Sequence, residues 1–214
     1  METAAGGKIL MSVINDQRTF FDRCAPTWHH HIDETSRQRL KSIFMEKIPD
    51  LHPPVLDIGS GTGVLLPELQ KKTGEKYLIV EADFSFPMLA ENRRQNYTCP
   101  EIQYTQTDAH FLPFKAHGFN SIVCFAAFAH FVDKQRVVRE FSALLKPGGN
   151  LVILHLMCHC RLNKLHQEVG GAVGEDALPD VKEVSRLLTR RRFNIRYAEE
   201  DKNIFLISAY KSLF

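Results

Sequence analysis

The sequence predicts an α/β domain built on a doubly wound, mostly parallel sheet with helices on both faces. Three observations predict it. From residue 55 onward, short apolar runs alternate with amphipathic segments of helical length, the pattern of parallel strands joined by crossover helices. The first run, Val55-Leu56-Asp57-Ile58, breaks into Gly59-Ser60-Gly61-Thr62-Gly63 and resumes as Val64-Leu65-Leu66, which reads as strand, tight turn and helix. The next run, Tyr77-Leu78-Ile79-Val80, is continuously apolar, as a strand buried on both faces must be, and empties into the carboxylates Glu81 and Asp83.

Composition narrows the class further. With 44% of its 214 residues in the hydrophobic set and 24% charged, the chain suits a single globular domain. Its organisation is a helical segment over about residues 1–50 and a core over 51–214. A net charge of +2 steers it weakly toward nucleic acid, and Arg190-Arg191-Arg192 falls at a helix end, where cations complement the dipole. Five cysteines, an odd count, fit reduced thiols in a cytoplasm. Glu2 interrupts any signal-peptide core, and no run approaches the ~20 apolar residues of a membrane span. The expectation is a cytoplasmic protein with neither a nucleic-acid nor a membrane partner, as monomer or homodimer.

In chain order, Met1 to Gly7 reads as disordered, and a helix beginning near Ser12 carries Phe20 and Phe21. A second amphipathic helix spans about Glu34 to Lys47, closed by Pro49, Pro53 and Pro54. The helix after the glycines runs to about Lys72, and Thr73-Gly74-Glu75 turns the chain. Glu101 to Thr105 and Phe119 to Cys124 are the third and fourth strands. A helix from about Asp133 to Leu145 stops at Lys146-Pro147-Gly148-Gly149 ahead of a fifth strand, Leu151 to Leu154. A last helix over Val181 to Thr189 precedes two strands, Phe193 to Tyr197 and Ile204 to Tyr210, one of them antiparallel.

The glycines carry the first chemistry. They permit positive φ and remove the Cβ atoms that hold a ligand off the backbone, while the following helix aims free N–H groups at the same place. A dinucleotide fingerprint wants glycine at its first, third and sixth positions. Counted from Gly59, the sixth residue is Val64 and the glycine falls fifth, at Gly63, which argues against NAD or FAD.

The string D-I-G-S-G-T-G resembles motif I of the class I S-adenosylmethionine (SAM) methyltransferases. A-D-F-S-x-x-M-L at Ala82 to Leu89, D-A-x-x-L-P-F at Asp108 to Phe114 and R-E-F-S-A-L-L-K-P-G-G at Arg139 to Gly149 follow in that family's order. The opening F-F-D-x-x-A-x-x-W resembles the N-terminal lid of its quinone-biosynthesis members, with His29 where an acidic residue is usual. The resemblance implies a Rossmann-like, seven-stranded sheet under a helical lid, with SAM as cofactor and a small-molecule acceptor. It gives Asp83 the ribose hydroxyls, with Glu81 as the alternative, and gives Asp108 and the Ala109 N–H the adenine edge. The cofactor set it implies is Asp57, Gly59, Ser60, Gly61, Gly63, Asp83, Phe84, Met88, Asp108, Ala109 and Phe125. Asn120 stands where the family has an aspartate.

Candidate bases are His130, His155 and His166, each in a segment bordering the predicted crevice, and histidine suits proton transfer near neutral pH. His155 ends the fifth strand, and a helical turn would set Asn163 and His166 on one face. Two other readings stay open: a catalytically silent SAM-binding regulator, and a metal-binding protein using H-x-x-C-H-C-x5-H from His155 to His166. That spacing supplies soft ligands but fits no standard zinc knuckle, and no metal ligand is assigned.

Overall fold

The computed structural model describes residues 2–74, 77–96 and 101–213. Its strands are β1 (Val55–Ile58), β2 (Ile79–Asp83), β3 (Ile102–Gln106), β4 (Phe119–Phe125), β5 (Leu145–His155), β6 (Phe193–Asp201) and β7 (Ile204–Lys211). Its helices are α1 (Glu2–Cys24), α2 (Glu34–Lys47), α3 (Leu66–Thr73), α4 (Phe86–Asn96), α5 (Lys134–Leu144), α6 (His159–Val169) and α7 (Val181–Thr189). The strands pair in the order β3-β2-β1-β4-β5-β7-β6, parallel except for β7, which runs against both neighbours. Strand order reverses between β1 and β4. A crevice opens beyond their C-terminal ends at such a switch point, and the glycine loop sits there.

Alternation along the strands builds two apolar layers. Leu56, Ile58, Ile122 and Ile153 pack one face against Val137, Val138 and Phe141 of α5 and Val184 and Leu188 of α7. Val55, Ile79, Val123 and Val152 pack the other against Leu40 and Phe44 of α2 and Leu66 and Leu69 of α3. All of these are buried, so neither face of the central strands meets solvent. A third cluster joins Phe21 and Ala25 to Met88 and Val173, and seats the end of α1 on α4.

Three details differ from the sequence reading. Helix α1 starts at Glu2, through the stretch expected to be disordered. Its later turns are anchored by Phe21 and Ile14, and a nucleated helix extends at one hydrogen bond per residue. Strand β5 starts at Leu145 rather than Leu151. The Lys-Pro-Gly-Gly stretch is absorbed as an irregularity opposite Phe119 and Ser121, with Gly148 at φ +77°. Strand β2 starts two residues later than expected and ends at Asp83, which puts both carboxylates inside the ladder. Met1, Glu75 and Cys99, on which expectations were also placed, lie outside the described residues.

Asn120 also has an explanation. Its Nδ2 donates to the Pro53 carbonyl and its backbone N–H to the Pro54 carbonyl, so this amide ties β4 to the entry of β1.

Candidate active site

The glycine loop is clamped from both sides. Gly59 N–H donates to the Ala82 carbonyl at 2.8 Å, and Gly61 N–H to Asp83 Oδ2 at 2.9 Å. Gly59 has φ +69°, and a Cβ there would stand 2.3 Å from Ala127 Cβ. Gly63 has φ +79°, with a Cβ only 2.2 Å from Asn92 Oδ1. Both positions therefore need glycine for conformation and for space. Gly61 differs: its open side meets only Trp28, at 3.7 Å, so its backbone lies bare toward the crevice.

Beneath the loop, three carboxylates stack on one face of adjacent strands. Asp57 of β1 is in register with Glu81 of β2, and Asp83 follows two residues on. Burial pushes all three carboxyls up; repulsion from Glu81 and Asp83 adds to it at Asp57, from Asp83 at Glu81, and from Asp22 at Asp83. Asp57 is 1% exposed and neither oxygen has a hydrogen-bond partner, and burial drives its carboxyl well above the usual carboxylate range. Glu81 accepts from Asn92 Nδ2 at 2.7 Å. Asp83 is raised to about 6 by burial, against the opposing pull of the Ser85 and Gly61 N–H groups. Of the three, only Asp83 lines the cavity; Asp57, Glu81 and Gly63 are not among its lining residues.

That cavity encloses about 510 Å³. One part is lined by Gly59, Ser60, Gly61, Asp83, Phe84, Met88, Asp108, Ala109 and Phe125, which is the expected cofactor set without Asp57 and Gly63. Asp108 Oδ1 accepts from both the backbone N–H and Nδ1 of His110, at 2.9 and 2.6 Å. Burial pushes the Asp108 carboxyl up, but these bonds prevail and hold it below the usual range. His110 is 3% exposed and its Nε2 accepts from Asp133 N–H, so the imidazole braces Asp108 against α5. His110 was missed in the sequence because it lies in the motif's variable position.

The N-terminal segment roofs the cavity. Phe21 packs edge-on against Trp28 at 5.4 Å and contacts Phe84 at 5.7 Å and the His130 ring at 5.0 Å. Trp28 reaches the loop at Gly61, and Ser85 Oγ donates to Asp22 Oδ1 at 2.6 Å. Phe20, Phe21 and Trp28 thus cover the glycine loop and the adjoining wall together.

The other part of the lining is mostly apolar: Phe20, Phe131, Met157, Leu162 and Val173 accompany His130, His166 and the amide of Gln17. Ala126, at φ +55°, turns the chain out of β4, and the following 3₁₀ turn, Phe128–His130, brings His130 back to the wall. A non-glycine residue in that region is strained, which is common where a chain must aim a functional group. His166 comes from α6, its ring centroid 4.9 Å from that of His130. As expected, α6 presents Asn163 and His166 on one face: Asn163 exchanges two hydrogen bonds with the Leu178 backbone, and His166 Nδ1–H donates to the Asp176 carbonyl at 2.8 Å.

His155 does not join them on the wall. It is 2% exposed behind the cavity, its ring edge-on to Phe205, and Nε2 has no partner. Burial, with the nearby His130, His166 and Lys134, drives its imidazole down to about 3, so it stays neutral and cannot store a proton. Cys158, His159 and Cys160 also turn away from the cavity. Cys158 and Cys160 pair with each other at 2.8 Å between sulfurs, and His159 binds Glu200 of β6 at 2.6 Å. Among the described residues, no three His, Cys, Asp or Glu side chains are grouped to hold a metal ion. Nor, among them, is any helix long and apolar enough to cross a membrane.

Residues 55–149 match the family model of a methyltransferase domain. The fold, the loop and this match agree: residues 55–149 are similar to a methyltransferase domain, set in a Rossmann-like sheet. Over 103 residues it is 36% identical to the ubiquinone/menaquinone biosynthesis C-methyltransferase UbiE of Wigglesworthia glossinidia brevipalpis, a match covering 47% of this chain and 41% of that one. Over 119 residues it is 34% identical to the demethylmenaquinone methyltransferase of Thermus thermophilus, covering 55% and 52%. The matched stretch thus spans about half the length of these curated relatives or less. A solved structure of a SAM-dependent methyltransferase from Aquifex aeolicus shares the fold with a TM-score of 0.64 at 18% identity, over 90% of this chain and 97% of that one.

The residues present fit SAM: a bare backbone at Gly61, a buried carboxylate at Asp83 and an apolar slot between Phe84, Met88 and Phe125. A pH dependence follows. Ribose hydroxyls donate more strongly to Asp83 when it is ionised, and burial raises its carboxyl to about 6. SAM affinity should therefore be constant above neutral pH and fall as pH drops through about 6, by up to about tenfold per pH unit for one linked proton. Calorimetry at pH 5 and pH 7.5 checks this; equal affinities would remove the carboxylate from the ribose.

Proposed function

We propose that this chain transfers the methyl group of SAM to a small, largely apolar acceptor of the phenol or hydroquinone kind, with His130 as the base. The observation that carries this reading is the shared cavity, with the glycine loop and Asp83 in one part of its lining and His130 in an aromatic wall in the other. An acceptor seated against Phe20, Phe131 and Met157 faces the loop and His130 at once. The quinone-biosynthesis names of the curated relatives support an aromatic ring as acceptor.

Bound SAM supplies an electrophilic methyl group on a sulfonium sulfur. What remains for the protein is alignment, exclusion of water and removal of one proton. Phe20, Phe21 and Trp28 close the roof and hold the acceptor in line. His130 accepts the hydroxyl proton, which raises the nucleophilicity of the ring oxygen or of the carbon conjugated to it.

The test is turnover with methyl-labelled SAM against reduced 1,4-naphthoquinone, simple phenols, thiols and amines. Label on the quinol or phenols is expected. Tight SAM binding with no transfer to any of them would overturn the acceptor class, and exclusive transfer to thiols or amines would move it.

A further inference from the structure

Asp176 belongs to none of the motifs that identify the fold, yet three of its oxygens meet the candidate acceptor site. It lies between α6 and α7. Its Oδ2 is 2.6 Å from His130 Nδ1, and its carbonyl oxygen is 2.8 Å from His166 Nδ1. Its Oδ1 accepts from Gln17 Nε2 of α1 at 2.6 Å, and Gln17 also donates to the His130 carbonyl at 3.1 Å. Gln17 is 1% exposed and the Asp176 side chain 9% exposed, so water does not compete freely for these bonds.

A neutral imidazole carries a single N–H. With Asp176 taking it at Nδ1, each histidine is left with a bare Nε2 as its proton acceptor. Without that acceptor, the ring is free to protonate Nε2 instead and to turn.

We propose that Asp176 is the positioning residue of this site. It fixes His130 and His166 as Nδ1–H tautomers, and Gln17 completes the arrangement only when α1 is docked. This rests on the reading of the cavity as a methyl-transfer site with His130 as base. The helix that carries the roof residues Phe20 and Phe21 also carries the amide that holds Asp176, so docking α1 both covers the cavity and completes the support of the base. The other groups facing the pair are Lys134 of α5, whose Nζ donates to the carbonyls of Ala129 and Phe131, His155 of β5 behind them, and Phe21 over the His130 ring.

Two readouts test it in the full-length protein: nitrogen-15 NMR of the imidazoles, and turnover with reduced 1,4-naphthoquinone. In the wild type both His130 and His166 should show Nδ1–H; a protonated Nε2 on neutral His130 would overturn the proposal with no variant needed. In Asp176→Asn, His130 should lose that tautomer while His166, bound to a backbone carbonyl, keeps it. Its kcat should fall about tenfold to a hundredfold with KM for SAM unchanged, a fraction of what a general base supplies. Asp176→Glu should restore the tautomer and part of the rate, and stands in if the asparagine variant does not fold. Gln17→Leu should lower kcat severalfold, also without a change in KM. Wild-type tautomers and wild-type kcat in Asp176→Asn would overturn the role. If the wild type turns over neither this probe nor any other acceptor tested above, the methyl-transfer reading has failed, and the tautomer in Asp176→Asn alone still decides for or against Asp176.

Discussion

Replacing Asp83 with alanine is expected to weaken SAM binding at least a hundredfold at pH 7.5. The carboxylate is placed for two tasks. It lines the cavity where the ribose hydroxyls would donate, and its Oδ2 holds Gly61 N–H at 2.9 Å while Oδ1 holds Ser85 N–H at 2.8 Å. Hydrogen bonds to a charged group contribute about 1.5–3 kcal/mol each, so losing two to the ribose alone costs about 3–6 kcal/mol. Loosening Gly61 adds to the loss. The Asp83→Asn variant separates the tasks, because an amide oxygen can accept one backbone N–H but cannot accept both hydroxyls as a carboxylate does. Its affinity should lie between the two and lose the fall below pH 6, since no titrating group remains there. Calorimetry with SAM measures all three proteins. Wild-type affinity in Asp83→Ala would transfer the role to Glu81, which is not among the residues lining the cavity.

Much of the cofactor half was legible in the sequence because its chemistry is local. Gly59, Ser60 and Gly61 follow β1 directly, and a carboxylate at the end of β2 must lie beside them once the two strands pair in parallel. Between Asp83 and Glu81 the motif favoured Asp83, with Glu81 as the alternative, and of the two only Asp83 lines the cavity. They point to the same side of one strand. Asp57 and Gly63 are likewise absent from the lining, although both shape the loop. The acceptor half depends on long-range contacts instead. His155 ends its strand as expected, but β7 packs Phe205 against it and buries it. Asp176 is 46 residues from His130, and Gln17 is 159 from Asp176. No periodicity or motif joins such positions, and the N-terminal helix that brings Gln17 to the site covers a stretch that composition alone assigned partly to disorder.

Replacing His130 with alanine is expected to lower kcat by about 10²–10⁴-fold, the range over which a positioned general base acts. SAM affinity should stay within a fewfold, because His130 stands in the aromatic wall and not at the loop. The side chain is 18% exposed, toward the cavity, and its Nδ1 is committed to Asp176, so Nε2 alone faces an acceptor. His166 is its neighbour at 4.9 Å between ring centroids, and burial holds its imidazole below the ordinary value. That opposes proton uptake by His166 and makes it a poor base. His166→Ala is accordingly expected to cost less in kcat than His130→Ala, with any larger change in KM for the acceptor, whose wall it forms. His155→Ala should act through packing, lowering the melting temperature while leaving kcat at its folded-protein value. Turnover of labelled SAM, with calorimetry on each variant, ranks the three. Full activity in His130→Ala with folding intact would remove it as the base and leave alignment as the source of the rate. A larger loss in His166→Ala would exchange their roles.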